Sequence, residues 1–326
     1  MKAIYEKQKK GILIIRPSAL GDTLLLAPAL YQVAHTAEPT VVGRKPGIDF
    51  LESCIREGLD YEQGGWHTIF SQKPICGDLP AIGFEKVVCF LTDPDGDALK
   101  GLGACFRDAD VQCFKPFPSK EEKVHVACYL ARCFSEAGLA LNPEQAVEEA
   151  KRKPLLSTGR QQENSAYHIV LHPGSGSETK NYPLEFWLNL VHDIQITMPY
   201  KKILLLGPAE RHYYERIKDV CRDSNTKISL CPQRNDLYSL LEAAALYVGH
   251  DSGITHLSAL LGTPTIALFR NNRCDQWAPL GPDVTVLDHT RSYAAILDRI
   301  TEKLRGACGI PDNQPRVLHV NRPSIE

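Results

Sequence analysis

Residues 251–256 combine residue types that could bind an anion, because they read D-S-G-I-T-H directly after a short apolar run. Asp251 or Ser252 is placed to cap the N-terminus of a helix, and Gly253 keeps a side chain away from its mouth. Such a helix end offers backbone N–H groups and a partial positive charge, and His256 in the second turn could swing toward the same anion. The sequence therefore predicts a phosphate site. The alternative is that the two polar residues only cap the helix.

Two other segments share this arrangement of strand, glycine-containing loop and helix. The apolar run 11–15 is followed by the loop and helix of residues 16–30, and the run 168–171 is followed by residues 172–187. Each is typical of the opening unit of an α/β domain, in which ligands bind outside the carboxyl ends of the strands. The sequence thus predicts two domains that begin in the same way.

Four motifs in this order resemble one known family. They are R-P-S-A-L-G-D at 16–22, H-P-G-S-G-S-x-x-K-x-Y-P at 172–183, G-H-D-S-G-I-T-H-L-S-A-L-L-G-T-P at 249–264 and W-A-P-L-G-P at 277–282. Together they are similar to the ADP-heptose:lipopolysaccharide heptosyltransferases, glycosyltransferase family 9. The resemblance spans most of the chain and implies the GT-B fold, an α/β architecture of two Rossmann-like, doubly wound domains that face a central cleft.

The alternation of apolar runs with Gly and Pro breaks predicts strands and helices in turn through both halves. Residues 151–166 are polar and interrupted by Pro and Gly, so we place the domain junction there. The predicted domains are an acceptor-binding domain with the catalytic base (1–155), a nucleotide-sugar-binding domain (166–290), and a C-terminal helix and tail (291–326) that in GT-B proteins packs back on the first domain. The predicted strands are 11–15, 40–43, 86–91, 168–171, 202–206, 228–230, 246–249 and 265–269, and the predicted helices include 47–58, 123–138 and 293–304.

The resemblance implies an inverting transfer of a sugar from a nucleotide diphosphate to a hydroxyl. Such a step needs a base for the attacking hydroxyl and a means of stabilising charge on the departing diphosphate. Asp22 matches the aspartate that the family uses as its base. The alternative is that Asp22, in the first turn of a helix, only complements the helix dipole.

The diphosphate is expected in the second domain. Lys180 would supply a point charge, joined by the backbone N–H groups of residues 252–254 and by His256. With these groups in place a metal ion is not essential, and no cofactor is expected. The further donor-site candidates are Ser175, Ser177, Ser252 and Gly253 for the diphosphate, Asp251 as helix cap or partner of sugar hydroxyls, and Glu210 for the ribose or adenine or, alternatively, as a solvent-facing helix start.

The acceptor side departs from what the resemblance implies. We expect a basic stretch to meet a phosphorylated lipopolysaccharide core, yet residues 84–115 hold more acidic than basic side chains. The expected partners are ADP-heptose or a similar donor and a glycan or lipid-linked acceptor. A nucleotide-sugar-binding protein without transfer activity is the alternative, and the presence of Asp22 with Lys180 and His256 favours catalysis.

Composition bounds the remaining possibilities. A chain of 326 residues with 43% hydrophobic residues can form two cores, and a net charge of -2 argues against a nucleic-acid surface. No secretory signal or membrane-spanning helix is visible, so we expect a cytoplasmic protein with at most peripheral contact with the inner membrane. The eleven cysteines, odd in number and without a C-x-x-C pair, are expected to be reduced thiols. The D-x-D pairs of residues 93–97 are expected to form a solvated turn and no metal site.

Overall fold

The computed structural model describes residues 10–71, 73–74, 76–79, 83–93, 95–119, 121–157, 168–197, 200–221, 225–270 and 273–308. The chain divides into two compact units, Met1–Ser157 and Thr158–Glu326, and the dividing point lies within the stretch 151–166. Each unit has its own parallel sheet.

The first unit contains a five-stranded parallel sheet in the order β3-β2-β1-β4-β5. Strand β1 is buried over Ile12–Ile15, as expected for a strand covered on both faces. Short 3₁₀ helices occupy Ile48–Cys54, Trp66–Phe70 and Cys76–Asp78. The other elements are β1 (Lys10–Ile15), α1 (Leu20–Leu24), α2 (Ala27–Val33), β2 (Ala37–Gly43), β3 (Glu57–Asp60), β4 (Lys86–Phe90), α3 (Asp97–Cys105), β5 (Asp110–Phe114), α4 (Val126–Glu136) and α5 (Pro143–Arg152).

The second unit contains a six-stranded parallel sheet in the order β11-β10-β9-β6-β7-β8. This is the strand order of the dinucleotide-binding Rossmann fold. Short 3₁₀ helices occupy Glu178–Lys180 and Arg211–Tyr213. The other elements are β6 (His168–His172), α6 (Leu184–Thr197), β7 (Lys201–Leu206), α7 (Tyr214–Val220), β8 (Thr226–Leu230), α8 (Arg234–Glu242), β9 (Ala244–His250), α9 (Gly253–Leu260), β10 (Thr265–Phe269), α10 (Cys274–Trp277), β11 (Val284–Asp288) and α11 (Tyr293–Cys308).

The predicted fold class is confirmed, because both units are α/β and doubly wound around parallel sheets. One predicted helix is wrong in its extent. Over 47–58 the chain forms a 3₁₀ helix that ends at Cys54, and Ile55 adopts an extended conformation. The chain then pairs with β2 as the edge strand β3, so the sheet's need for a partner overrides the helical pattern.

The helix α11 packs within the second unit. Ile296, Ile300 and Leu304 are buried in the same core cluster as Trp187 of α6. Its apolar face is part of the core of its own unit, and the expectation that this helix packs back on the first domain stays a prediction. Residues 309–326, the predicted tail, lie outside the described residues.

Four cysteines correct the expectation of reduced thiols. Cys89 and Cys113 are directly opposite each other on β4 and β5 and form a disulfide with a Cα–Cα distance of 4.6 Å. A second disulfide joins Cys76 to Cys105, with Cα atoms 4.9 Å apart. Strand pairing brings together cysteines 24 residues apart in sequence, which spacing alone does not reveal. Cysteine usage therefore no longer supports a reducing compartment.

No helix in the described part of the chain is long and apolar enough to cross a membrane.

Candidate functional site

The candidate site of the second unit lies where its strand order reverses. Strands β6 and β9 are neighbours, with His172 opposite Gly249, and the chain leaves β6 toward one edge of the sheet and β9 toward the other. The loops that follow two such strands diverge and leave a crevice at the carboxyl edge of the sheet, which is where open α/β sheets bind ligands. Seven of the eight predicted donor-site residues follow β6 or β9 in sequence, and Glu210 follows β7.

Helix α9 begins at this edge, and Ser252 is its N-cap. The Ser252 backbone is extended and its hydroxyl accepts the N–H of Thr255 at 3.3 Å, which decides between the two predicted caps. Ser252 is buried, so its hydroxyl serves the helix. Gly253 and Ile254, the first two residues of the helix, are half-buried. Their N–H groups precede the first intrahelical hydrogen bonds and are suited to an anion.

Lys180 and Asp251 meet at the same edge. The Lys180 Nζ donates to Asp251 Oδ2 at 2.6 Å, which links the loop after β6 to the residue preceding the cap of α9. The lysine side chain is 37% exposed and the aspartate side chain 12% exposed. Asp251 is thus the partner that holds Lys180 beside the start of α9 and does not itself cap the helix.

Ser175 and Ser177 organise the loop that follows β6. The Ser175 hydroxyl donates to the carbonyl of Ser177 at 2.9 Å and lies 2.6 Å from the Asn181 Oδ1, while it also accepts the Ser177 N–H. The Ser177 hydroxyl shares a hydrogen bond with Thr179. Both serines are half-buried and close the loop that presents Lys180.

Glu210 is buried, which removes the alternative of a solvent-facing helix start. Its Oε2 accepts the N–H of Gly207 at 3.0 Å and lies 4.0 Å from the His172 Nε2. A Cβ at Gly174 would stand 1.9 Å from the Glu210 Cδ, so the glycine leaves the space that this carboxylate fills. Glu210 therefore joins the loop after β7 to the loop after β6.

A buried polar network lies next to this edge, and local sequence patterns mark it only weakly. His172 shares a hydrogen bond of 2.9 Å with the Tyr247 hydroxyl, which in turn bonds to Thr255, and Thr255 shares a 3.0 Å bond with the Ser252 hydroxyl. Burial lowers the pKa of His172 to about 4, so the imidazole is neutral at pH 7. The network fixes the cap of α9 relative to β6 and β9.

Two further histidines of the motif are buried. His250 accepts the N–H of Tyr182 on its Nε2 at 2.8 Å, and burial, with His172 and Arg270 adding to the effect, lowers its pKa to about 3. His256, predicted to approach the phosphate, lies in the second turn of α9 and is only 3% exposed. Its role toward a ligand stays a prediction.

Asp22, the predicted base, lies in the first unit, in the first turn of α1, and is half-buried. It follows β1, next to β4 in the sheet, at the point where the strand order of that unit also reverses. The remaining eight candidates lie in the second unit.

Arg16 is a residue of this loop that sequence reasoning did not single out. Its side chain is fully buried; Nε donates to the Asp22 carbonyl at 3.2 Å and Nη1 to the Pro116 carbonyl at 2.7 Å. The guanidinium lies 5.5 Å from the Phe90 ring centre and 5.1 Å from that of Phe117. Burial lowers its pKa to about 10, opposed by the negative charge of Asp22. A charge immediately after a buried strand was the available signal.

No group of three His, Cys, Asp or Glu side chains placed to hold a metal ion occurs among the described residues. In the acidic run after β4, the Asp93 carboxylate accepts the N–H groups of Ala98 and Leu99 at the start of α3. That carboxylate therefore satisfies two N–H groups in the first turn of α3.

The model of the family described as glycosyltransferase family 9 (heptosyltransferase) matches residues 114–304, more than half of the chain. The chain belongs to this family. The predicted family is thereby confirmed, and the match runs from the end of β5 through α11.

Individual relatives are more distant. A lipopolysaccharide heptosyltransferase 1 from Campylobacter coli is 31% identical over 145 residues, which are 43% of this chain and 42% of the relative. The chain thus spans about two fifths of the length of that curated family member. The solved structure of E. coli heptosyltransferase WaaC with ADP has a TM-score of 0.66 at 16% identity, covering 90% of this chain and 99% of that one. E. coli ADP-heptose lps heptosyltransferase II has a TM-score of 0.65 at 16% identity, covering 91% and 99%. This chain therefore shares the fold of these two heptosyltransferases.

Proposed function

We propose that this chain transfers a heptose or a related sugar from a nucleotide diphosphate sugar, ADP-heptose foremost, to a hydroxyl of a lipopolysaccharide-core or other glycan acceptor. The observation that carries the proposal is the junction of Lys180 and Asp251 with the N-terminus of α9. It offers a cation and backbone N–H groups at the carboxyl edge of a Rossmann sheet, which suits a diphosphate. Family membership and the ADP named with the WaaC structure support the same donor.

The reaction proposed is a single displacement at the anomeric carbon with inversion. The acceptor oxygen forms the new bond as its proton passes to the Asp22 carboxylate, and the bond to the diphosphate breaks. Arg16 donates to the backbone carbonyl of Asp22 and so ties the Asp22 backbone to the loop that follows β1. Charge on the diphosphate is received by Lys180 and the N–H groups of Gly253 and Ile254.

The test of the proposal is Asp22→Asn. The amide is nearly isosteric, so folding and donor binding should persist, while transfer to lipid-linked or protein acceptors should fall by roughly 10²–10⁴, the usual contribution of a positioned general base. Asp97→Asn is the matched control, because Asp97 also lies in the first turn of a helix in this unit. If Asp22→Asn transfers sugar as fast as the unmodified chain, Asp22 is not the base and only complements the helix dipole.

The same assay separates the enzyme from a non-catalytic binding protein. Calorimetry would measure donor affinity while transfer and slow donor hydrolysis are followed in parallel. Donor binding with neither transfer nor hydrolysis for any acceptor would favour the binding protein.

We further propose that transfer needs no divalent metal, because Lys180 and the start of α9 provide the positive charge that a metal supplies elsewhere. Turnover should therefore persist at full rate in EDTA. Loss of turnover in EDTA, with recovery on adding magnesium or manganese, would contradict this part of the proposal.

A further inference from the structure

Arg270 follows β10 at the edge where the donor site is proposed. The last paired residues of β9 and β10 are His250 and Leu268, so Arg270 follows β10 at the level at which Ser252 follows β9. The N–H of Asp251 donates to the carbonyl of Leu268, which keeps the two chains together just before this point. Arg270 thus leaves its strand beside the cap of α9.

The guanidinium of Arg270 is hydrogen-bonded to the loop that follows β6 and contains Lys180, called the Lys180 loop here. Most of its N–H donors are not used by this contact. Its Nη1 donates to the carbonyl of Asn181 at 2.5 Å, and its carbon centre lies 5.3 Å from the Tyr182 ring. A guanidinium carries five N–H donors, of which this bond uses one. The residue is exposed, so the remaining donors face solvent or a ligand.

Arg270 adds a positive charge to an edge at which the other charged side chains already oppose one another. The positive charge of Lys180 is offset by Asp251 at 2.6 Å, and Glu210 adds a buried carboxylate. His172 and His250 are neutral at pH 7 because burial lowers the pKa of each far below its ordinary value. Asp288, at the end of the next strand, accepts the N–H and hydroxyl of Thr290. Among the described residues, no carboxylate lies within ion-pair distance of Arg270.

We infer that Arg270 binds the diphosphate of the nucleotide donor together with Lys180 and the N-terminus of α9. Arginine presents a planar fork that matches two phosphate oxygens, and Tyr182 orients this fork by stacking. Arg270 also secures the Lys180 loop through Asn181, so ligand and loop are held by one side chain. The inference rests on the proposed function and adds a donor contact that the four motifs do not contain.

The experiment compares binding of ADP, inorganic pyrophosphate and adenosine to the full chain by calorimetry. Arg270→Gln should weaken ADP and pyrophosphate about tenfold or more, the effect of losing a hydrogen bond to a charged group, and leave adenosine within about twofold. Arg270→Lys should give an intermediate loss because it keeps the charge without the fork. Arg273→Gln is the matched control: Arg273 is exposed, close in sequence, and bonded to Gln276 instead of the Lys180 loop.

The outcomes separate this inference from the proposed function. If the unmodified chain binds ADP and Arg270→Gln binds it equally well, only the inference fails. An equal loss of ADP and adenosine would also overturn it, because Arg270 would then act by ordering the loop. If the unmodified chain binds neither ADP nor pyrophosphate, the proposed donor site fails and the inference with it.

Discussion

At the level of single residues, the proposed donor site is a set of side chains that already bind one another. Lys180 is paired with Asp251, Ser252 caps α9, and Ser175 closes its own loop. These contacts fix the positions of the hydrogen-bonding groups before any ligand arrives, which lowers the entropic cost of binding. A diphosphate then has to compete with Asp251 for the lysine.

Lys180→Ala should weaken ADP binding by roughly 1.5–3 kcal/mol, the range for a hydrogen bond to a charged group. The substitution also leaves the Asp251 carboxylate without its cation beside the phosphate, which acts in the same direction. Calorimetry with ADP measures the change. Lys201→Ala is the control, since Lys201 is exposed at the start of β7, the opposite edge of the sheet. An unchanged affinity in Lys180→Ala would remove this lysine from the site.

At the level of elements, the loops after β6 and β7 are joined by a packing contact that involves a glycine. Gly174 has no room for a Cβ because Glu210 occupies the space, and Glu210 is fixed in turn by the N–H of Gly207. A side chain at position 174 would therefore collide with the Glu210 carboxylate.

Gly174→Ala should lower the free energy of unfolding by about 1–3 kcal/mol, the cost of forcing extra volume into a packed site, and should weaken ADP binding. In a Glu210→Ala background the same substitution should cost less, because the clashing carboxylate is gone; a double-mutant cycle by urea denaturation measures the difference. Gly103→Ala, where a Cβ meets nothing within 4 Å, is the control. Equal costs of Gly174→Ala in both backgrounds would show that Glu210 is not the obstacle.

At the level of the whole molecule, two similar Rossmann units carry different parts of the proposed reaction. The family match, residues 114–304, covers most of the second unit and the last part of the first, and nearly all of the acidic stretch 84–115 precedes it. The second unit contains two buried histidines, His172 and His250, that are neutral at pH 7. Their burial makes the stability of this unit sensitive to mild acid.

The stability of the second unit should fall as the pH drops below 6.5. His172 and His250 have folded-state pKa values of about 4 and 3, below the ordinary value of 6.5, so acid protonates them in the unfolded chain first. The stabilisation that depends on these neutral histidines is fully present above pH 6.5. It is lost as the pH falls toward their folded-state pKa values. Between pH 7.5 and 5.5 each should remove about 1.4 kcal/mol from the free energy of unfolding.

Urea denaturation of the unmodified chain and of His172→Gln at both pH values tests this. The variant should lose about 1.4 kcal/mol less than the unmodified chain over the same interval, whatever its stability at pH 7.5. His289→Gln is the control, because His289 is exposed after β11. Parallel losses in His172→Gln and the unmodified chain would mean that folding does not lower the pKa of His172.

The sequence alone was sufficient for the central strands and the family. Strands such as β1 and β10 are continuous apolar runs because both of their faces are covered, and the motif 249–264 carries its own cap and helix. The edge strands β3, β5 and β11 escaped prediction because they are short and partly exposed, so no apolar run marks them.

Tertiary structure alone decided which polar groups meet. Lys180 and Asp251 are 71 residues apart, and Arg16 and Pro116 are 100 apart; each pair is brought together by strand order, which local patterns do not encode. The same holds for the disulfide between Cys89 and Cys113, for Glu210 beside Gly174, and for Arg270 beside the cap of α9. Local sequence specifies the elements and their ends, because capping and periodicity act over a few residues. The contacts between those ends depend on the register and order of strands, which only the packed sheet fixes.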